Sequence, residues 1–424
     1  MTFLISSWRR TLLLIFILAL LTRGIFISLQ QDGFYFPDSL SYSRTAVNLV
    51  EQGEFGAQFG RAPGYPVFIA GVYALFGESI FAVRLLESVM GAFLAVIIAV
   101  VGRRAGGDLS GAFAGLIWAI YPMGVFIAGL VYPAGLAAMF LACGVWCVMP
   151  IRAEEFSVKG VFGGGICLGL AALVIPVTLL TILVVAAWNF YWAGKSRALL
   201  ASTLLLGAAL VVAPWIIRQY LVLGKLVPIQ ANVDRHSPRM LTGDNLDEKG
   251  SDKGSRVNLF AAHFGRQFMR FWELYPNRIK MDRPGRRENW NGKDPRVVPS
   301  TIYRPTSLIN TVSILSTGPV FLFAILGTAA MWRRRESRFH LSLFWAMALS
   351  YAIGYAVFVG RIRYRIPVEP YIIIVGAYGI ALTWQSWSRR YARAHSEGRS
   401  FGMAPRYQHI RSKGNCISEE EANP

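Results

Sequence analysis

Charge is scarce in this chain, and acidic charge scarcest. Asp and Glu number 24 against 43 Lys and Arg among 424 residues, and only 16% of side chains are charged. A soluble chain of this length could not hide its 54% hydrophobic residues from water, so a soluble protein is excluded. Histidine and cysteine are as sparse. The five histidines (236, 263, 340, 395 and 409) are scattered, with no HxxxH pair. Cys143, Cys147 and Cys167 lie inside apolar runs and Cys416 in a polar end, a pattern of small-residue packing that offers no zinc site. There is no RNP-like motif, zinc-finger spacing or isolated basic domain, so the net charge of +19 does not point to nucleic acid. The basic residues flank apolar runs or sit in one long hydrophilic segment. Anionic lipid headgroups or a phosphate-bearing substrate fit that placement.

What the chain has in abundance is long apolar runs. Several approach or exceed the ~18–20 residues that cross a hydrocarbon core of roughly 30 Å. The first, Leu12 to Leu29, follows Arg9 and Arg10 and carries no small-residue cleavage site, so it reads as a retained anchor. Further spans are expected near 79–102, 111–130, 133–150, 160–174, 177–193, 198–216, 308–332, 340–359 and 366–387. The fold class is therefore an all-α polytopic membrane protein of about ten transmembrane helices. The stretch 64–77 is too short to cross and reads as a helix at the membrane surface. The domain expectation is a transmembrane module over 1–216 with its first outer loop at 31–78, and an irregular extracytoplasmic module over 217–307 with short helices such as 258–274. Transmembrane helices over 308–387 and a disordered basic tail over 388–424 complete it.

Orientation follows from charge. With the N-terminus inside, the short inner segments carry Arg9, Arg10, Arg103, Arg104, Arg152, Lys159, Lys195, Arg197, Arg333, Arg334, Arg335 and Arg338, twelve positive charges on the side the positive-inside rule favours. One short outer loop breaks that rule. The segment GRIRYRIP, 360–367, places Arg361, Arg363 and Arg365 on the disfavoured side. An anionic partner at the outer surface accounts for them, and headgroup snorkelling is the plainer alternative. The same face gathers Asp32 and Asp38 just past the first span, Arg61 and Tyr65 in RAPGYP, Arg84 at the start of the second span and Arg218 at the end of the seventh. Arginine's planar fork suits phosphate oxygens, and a polyprenyl phosphate carries its phosphate at that depth.

The segments FPDSLSYSRTAVNL, RAPGYPVFIAGVYALFG, AVRLLE, APWIIRQYLVLGKLVPI, TGDN and RIRYRIPVEP, taken in order, resemble the bacterial GT-C glycosyltransferases. Those are related to the dolichyl-phosphate-mannose protein mannosyltransferases and to the aminoarabinose transferases of lipid A. The resemblance runs from about residue 10 to 387. It implies an inverting transfer of a sugar from a polyprenyl-phosphate donor to a glycan, lipid or protein acceptor on the extracytoplasmic face of a bacterial inner membrane. It maps the catalytic base to Asp38, with Asp32 the second candidate acid. Arg361, Arg363 and Arg365 become donor-phosphate ligands, and Arg61, Tyr65, Arg84 and Arg218 substrate-binding candidates. Two positions depart from the family: Ala134 stands where a second outer-loop acid is common, and Ile175 where an Arg often precedes the Pro of the sixth span. The departures leave a divalent cation open as cofactor, with no assigned ligands.

Chemistry makes the missing acid tolerable. A departing alkoxide must be protonated, whereas a polyprenyl phosphate leaves as a stable anion and needs only charge stabilisation. One base and a cluster of arginines suffice. Two other functions stay open: a flippase or transporter of lipid-linked sugar, and a non-catalytic GT-C relative. Plainer roles also stay open for single residues. Asp38 could only cap a helix beginning at Ser39, and Glu87 could only pair with Arg84 along one helix face.

Overall fold

Proline and glycine mark most of the helix boundaries. The computed structural model describes residues 7–55, 61–150, 155–224, 226, 227, 229, 253–275 and 307–400. Among the described residues lie thirteen α-helices and no β-strand. The first nine are α1 Trp8–Ser28, α2 Pro37–Gln52, α3 Gly64–Phe76, α4 Ile80–Ile120, α5 Pro122–Ala128, α6 Ala134–Val148, α7 Val158–Val174, α8 Thr178–Trp192 and α9 Arg197–Leu223. The last four are α10 Lys253–Phe271, α11 Ser307–Arg333, α12 Arg335–Val357 and α13 Glu369–Ser400. Most of the expected module over 217–307 lies outside the described residues, as does 401–424, while α13 runs on into the segment expected to be a tail. The chain divides into a unit ending at Ala381 and a second beginning at Leu382, and every candidate site residue belongs to the first.

Six helical segments are long and apolar enough to cross a membrane: Trp8–Ser28, Ile80–Ile120, Gly194–Leu223, Ser307–Arg333, Arg335–Val357 and Ile366–Ala392. Helices α6, α7 and α8 are apolar but have only 15, 17 and 15 residues. At 1.5 Å per residue they reach about 22–26 Å, a little short of the hydrocarbon thickness. They are held by packing instead. Helix α7 lies against both α6 and α9. A Cβ at Gly165 would run into Leu204 O, and one at Gly207 into Phe162 O, so these glycines let the two backbones touch. The protein is a multi-pass, all-α membrane protein.

The expected spans at 79–102 and 111–130 are joined and then broken differently. The range of α4 covers both, but the backbone reverses at Gly107, whose φ of 82° leaves the helical region, so the two halves pack on each other with Gly115 against Ala95 and Ala99. The second span then breaks at Tyr121–Pro122 and resumes as the short α5. Trp118 O keeps the Tyr121 N–H at 3.3 Å, but Pro122 has no N–H, so the i+4 donor to that carbonyl is lost. Helix α1 replaces it. Arg23 donates to Trp118 O (3.3 Å) and to Ala119 O (3.1 Å), and Thr22 Oγ1 donates to Ala119 O (2.8 Å). Neighbouring groups that satisfy freed carbonyls are what allow a proline break in a membrane helix.

On the opposite side of the second span, Arg104 donates to Trp146 O and Met149 O, and His340 meets Pro150 O. Helix α10, which overlaps the expected helix at 258–274, presents Phe260, Phe264 and Phe268, followed by Trp272 just past its end, as a ladder of ring contacts. Trp272 rests on Phe321 and Trp345. This ties α10 to α11 and α12 beside the arginine loop.

Candidate active site

The loop between α1 and α2 is built to deliver one carboxylate. Arg84, buried at the start of α4, donates to Gln31 O (3.0 Å) and Gly33 O (2.6 Å). The Tyr35 ring lies over its guanidinium, and the Tyr35 hydroxyl accepts from Gln31 N–H. Arg84 is therefore a brace for the loop and has its Nη donors occupied. The loop ends at Pro37, which occupies the first helical position of α2, where its missing N–H is no loss. Asp38 is thus the second residue of the helix. The expectation that it caps a helix starting at Ser39 is corrected: the cap position is Phe36, and no side chain caps the helix.

The Asp38 carboxylate instead faces two arginines. Arg61 Nη2 donates to Oδ1 at 3.1 Å, and Arg363 Nη2 lies 3.6 Å from Oδ2. These three side chains are about a third exposed. They come from the start of α2, the approach to α3 and the loop between α12 and α13, the last far from the other two in sequence. Burial works against the charge of Arg61 and Arg363. Tyr42 and Asp38 outweigh it at Arg61, and Tyr132, Tyr364 and Asp38 outweigh it at Arg363, so both guanidinium pKa values are raised. Both stay charged.

Tyrosines wall this cluster. Arg61 stands over the Tyr42 ring, and the Tyr42 ring meets Tyr65 edge-on. Arg363 lies over both Tyr132 and Tyr364 and donates to the Tyr364 hydroxyl (3.2 Å). Tyr364 in turn stacks on Tyr355. Burial raises the phenol pKa of Tyr42, Tyr65 and Tyr132, so these rings remain neutral. Below them Tyr65 donates to Glu87 Oε1 at 2.6 Å. Sequence reasoning gave Tyr42, Tyr132 and Tyr364 no role, because an isolated Tyr in an apolar context carries no signal of its own.

The remaining candidates fall elsewhere. Arg365 is wholly buried; it pairs with Glu369 (2.9 Å) and donates to Phe271 O and Glu273 O at the end of α10. Arg361 is exposed and precedes the short turn at 362–364. Arg218 lies over Phe55 and Trp215 and donates to Gln219. Asp32 is exposed. Sequence reasoning also missed Arg23, since one basic residue near a span end reads as snorkelling. No group of three His, Cys, Asp or Glu side chains converges among the described residues. Both Asp38 oxygens face guanidinium groups, and position 134 is an alanine. The described donor set does not fit a divalent cation.

Residues 60–217 match the family model of dolichyl-phosphate-mannose-protein mannosyltransferase. That match leaves out Asp38 and Arg363, so their juxtaposition is independent of it. The fold is similar to that of ArnT from Cupriavidus metallidurans, at TM-score 0.55 and 17% identity, over 89% of this chain and 61% of that one. The chain has the GT-C fold. The same likeness holds for ArnT bound to undecaprenyl phosphate. It extends to the archaeal oligosaccharyltransferase AglB from Archaeoglobus fulgidus, in complex with an inhibitory peptide and a dolichol-phosphate. There the TM-score is 0.58 at 12% identity, over 92% of this chain and 52% of that one. The chain thus spans about three fifths of ArnT and half of AglB. No curated protein sequence matches it significantly.

Proposed function

We propose that this GT-C protein is a glycosyltransferase that moves a sugar from a polyprenyl-phosphate donor to an acceptor at the extracytoplasmic face, with inversion at the anomeric carbon. The observation that carries the reading is Asp38 set between Arg61 and Arg363. Arg363, with Arg61 and the exposed Arg361 nearby in the sequence, holds the donor phosphate. Arg363 Nε is buried without a hydrogen-bond partner, so this guanidinium still has a donor to spend. The acceptor oxygen attacks the anomeric carbon while its proton passes to Asp38. The bond from that carbon to the phosphate oxygen breaks, and its electron pair stays on the phosphate. The added negative charge develops beside fixed positive charge, which costs no reorganisation. ArnT and AglB have been seen with undecaprenyl phosphate and a dolichol-phosphate, which supports a lipid phosphate here.

The transporter reading predicts intramembrane charges along a path. Arg23 is such a charge, but its Nη donors are committed to the broken helix. The test pairs two measurements. Purified full-length protein in lipid is offered a panel of polyprenyl-phosphate hexoses and pentoses, and envelope glycans are compared by mass spectrometry with and without the gene. Transfer from one donor and loss of the corresponding glycan are expected. An unchanged glycan profile together with no transfer from any donor would sink the reading.

A further inference from the structure

The one non-glycine residue with left-handed backbone among the described residues is Val131, at φ 52°. Asn or Gly takes that conformation cheaply, but a β-branched residue does not. Strain of this kind persists only where the surroundings over-determine it, and it concentrates at functional sites. The surroundings here are specific. On one side Leu130 O accepts from Ser39 Oγ at 2.7 Å, and Ser39 is the neighbour of Asp38. On the other, Pro133 starts α6. Between them the buried Tyr132 puts its ring against the Arg363 guanidinium, 5.4 Å from the ring centre. The Tyr132 backbone N–H approaches the buried Glu87 carboxyl, although Glu87 Oε2 has no hydrogen bond of ordinary geometry. A relaxed residue 131 would release the direction in which Tyr132 points.

We propose that Tyr132 is a positioning residue: the left-handed turn at Val131 aims its ring at Arg363 and so holds the guanidinium between Asp38 and the donor phosphate. The orientation matters because a planar fork binds phosphate only along its edges. With the guanidinium over both the Tyr132 and Tyr364 rings and Nη2 shared between Asp38 and the Tyr364 hydroxyl, its settings are few. The second outer loop then serves the site through an aromatic face and its backbone, without an acid. The inference rests on Arg363 as the phosphate ligand, so its test has one arm that needs no lipid.

In that arm, full-length protein in detergent is treated with phenylglyoxal, and modification of Arg363 is timed by peptide mass spectrometry. Losing the ring face in Tyr132→Leu should speed labelling by roughly 3–30-fold, the worth of a cation–π contact between exposed and desolvated limits. Tyr132→Phe keeps the face and should restore the slow rate. Val131→Gly should speed labelling too, because glycine populates φ on both sides of zero and frees the turn that aims Tyr132, while the loss of strain at φ 52° keeps the thermal midpoint from falling. It carries the test should Tyr132→Leu not fold. In the second arm, the Kd for undecaprenyl phosphate should rise over the same range in the Leu and Gly variants and not in Phe. Unchanged Arg363 labelling in Tyr132→Leu and Val131→Gly, or a lowered midpoint alone, would overturn the proposal. Wild-type protein that binds no undecaprenyl phosphate would instead overturn the transferase reading, and the labelling arm would still decide this one.

Discussion

At the scale of single residues, the arginine loop separates two roles that look alike in RIRYR. Arg365 and Glu369 form a pair with 0% and 2% of their side chains exposed. Removing one partner strands a buried charge, so Arg365→Ala should cost roughly 3–5 kcal/mol of stability, read as a fall in thermal midpoint and yield. Arg363→Ala should leave the midpoint nearly unchanged and weaken lipid-phosphate binding, with Arg363→Lys recovering part of it as a point charge. Equal stability losses at both positions would assign both to structure. Asp38 is tested by Asp38→Asn. Its ion pairs are about a third exposed and screened by solvent, so stability should move by less than about 1 kcal/mol. Turnover should fall roughly 10²–10⁴-fold, the usual worth of a positioned base. Full turnover in that variant would send the search for the base to Asp32.

At the scale of elements, the break between α4 and α5 holds the second outer loop in place. Arg23 donates to two carbonyls there, while Trp118 O also accepts from Tyr121 N–H and Ala119 O from the Thr22 hydroxyl, so each keeps one partner without it. Arg23→Leu should therefore destabilise by about 1–3 kcal/mol, the net worth of the two hydrogen bonds lost. Pro122→Ala restores an N–H for Trp118 O, so the same Arg23 change should cost less in that background. Strictly additive losses in the double-mutant cycle would show that Arg23 does not act through the break. These elements also show what the sequence made legible. Apolar runs located the apolar helices, six of which among the described residues are long enough to cross a membrane, and the helix expected next to Asp38 is there, starting two residues early. The clash of RIRYR with the charge rule pointed at Arg363. What stayed hidden is contact between distant segments. Nothing in the sequence says that Arg365 turns inward to Glu369 while Arg363, two residues earlier, reaches Asp38. Nor does Val131 announce its left-handed backbone, since β-branched residues are normally read as extended.

At the scale of the whole molecule, the contacts sort the loops onto two faces independently of charge. Gln31, Gly33, Asp38, Leu130, Tyr132 and Arg363 are linked by hydrogen bonds, ion pairs and ring contacts, so the first, second and last of the expected outer loops share one face. The carbonyls of Trp146, Met149 and Pro150 are held at the other end of the spans, by Arg104 and His340. The positive-inside rule then predicts which face is which, because Arg104, one of the basic residues expected inside, lies at that second end, bound to Trp146 O and Met149 O. The check is labelling in a chain whose four cysteines are replaced. Single cysteines go at Asp32, exposed beside the candidate site, and at Lys195, exposed between α8 and α9. An impermeant maleimide added to intact cells should label Asp32→Cys, and should reach Lys195→Cys only after lysis. The reverse pattern would place Asp38 and Arg363 in the cytoplasm. A transferase there would draw on donors presented at the inner leaflet, and the proposed extracytoplasmic acceptor would be ruled out.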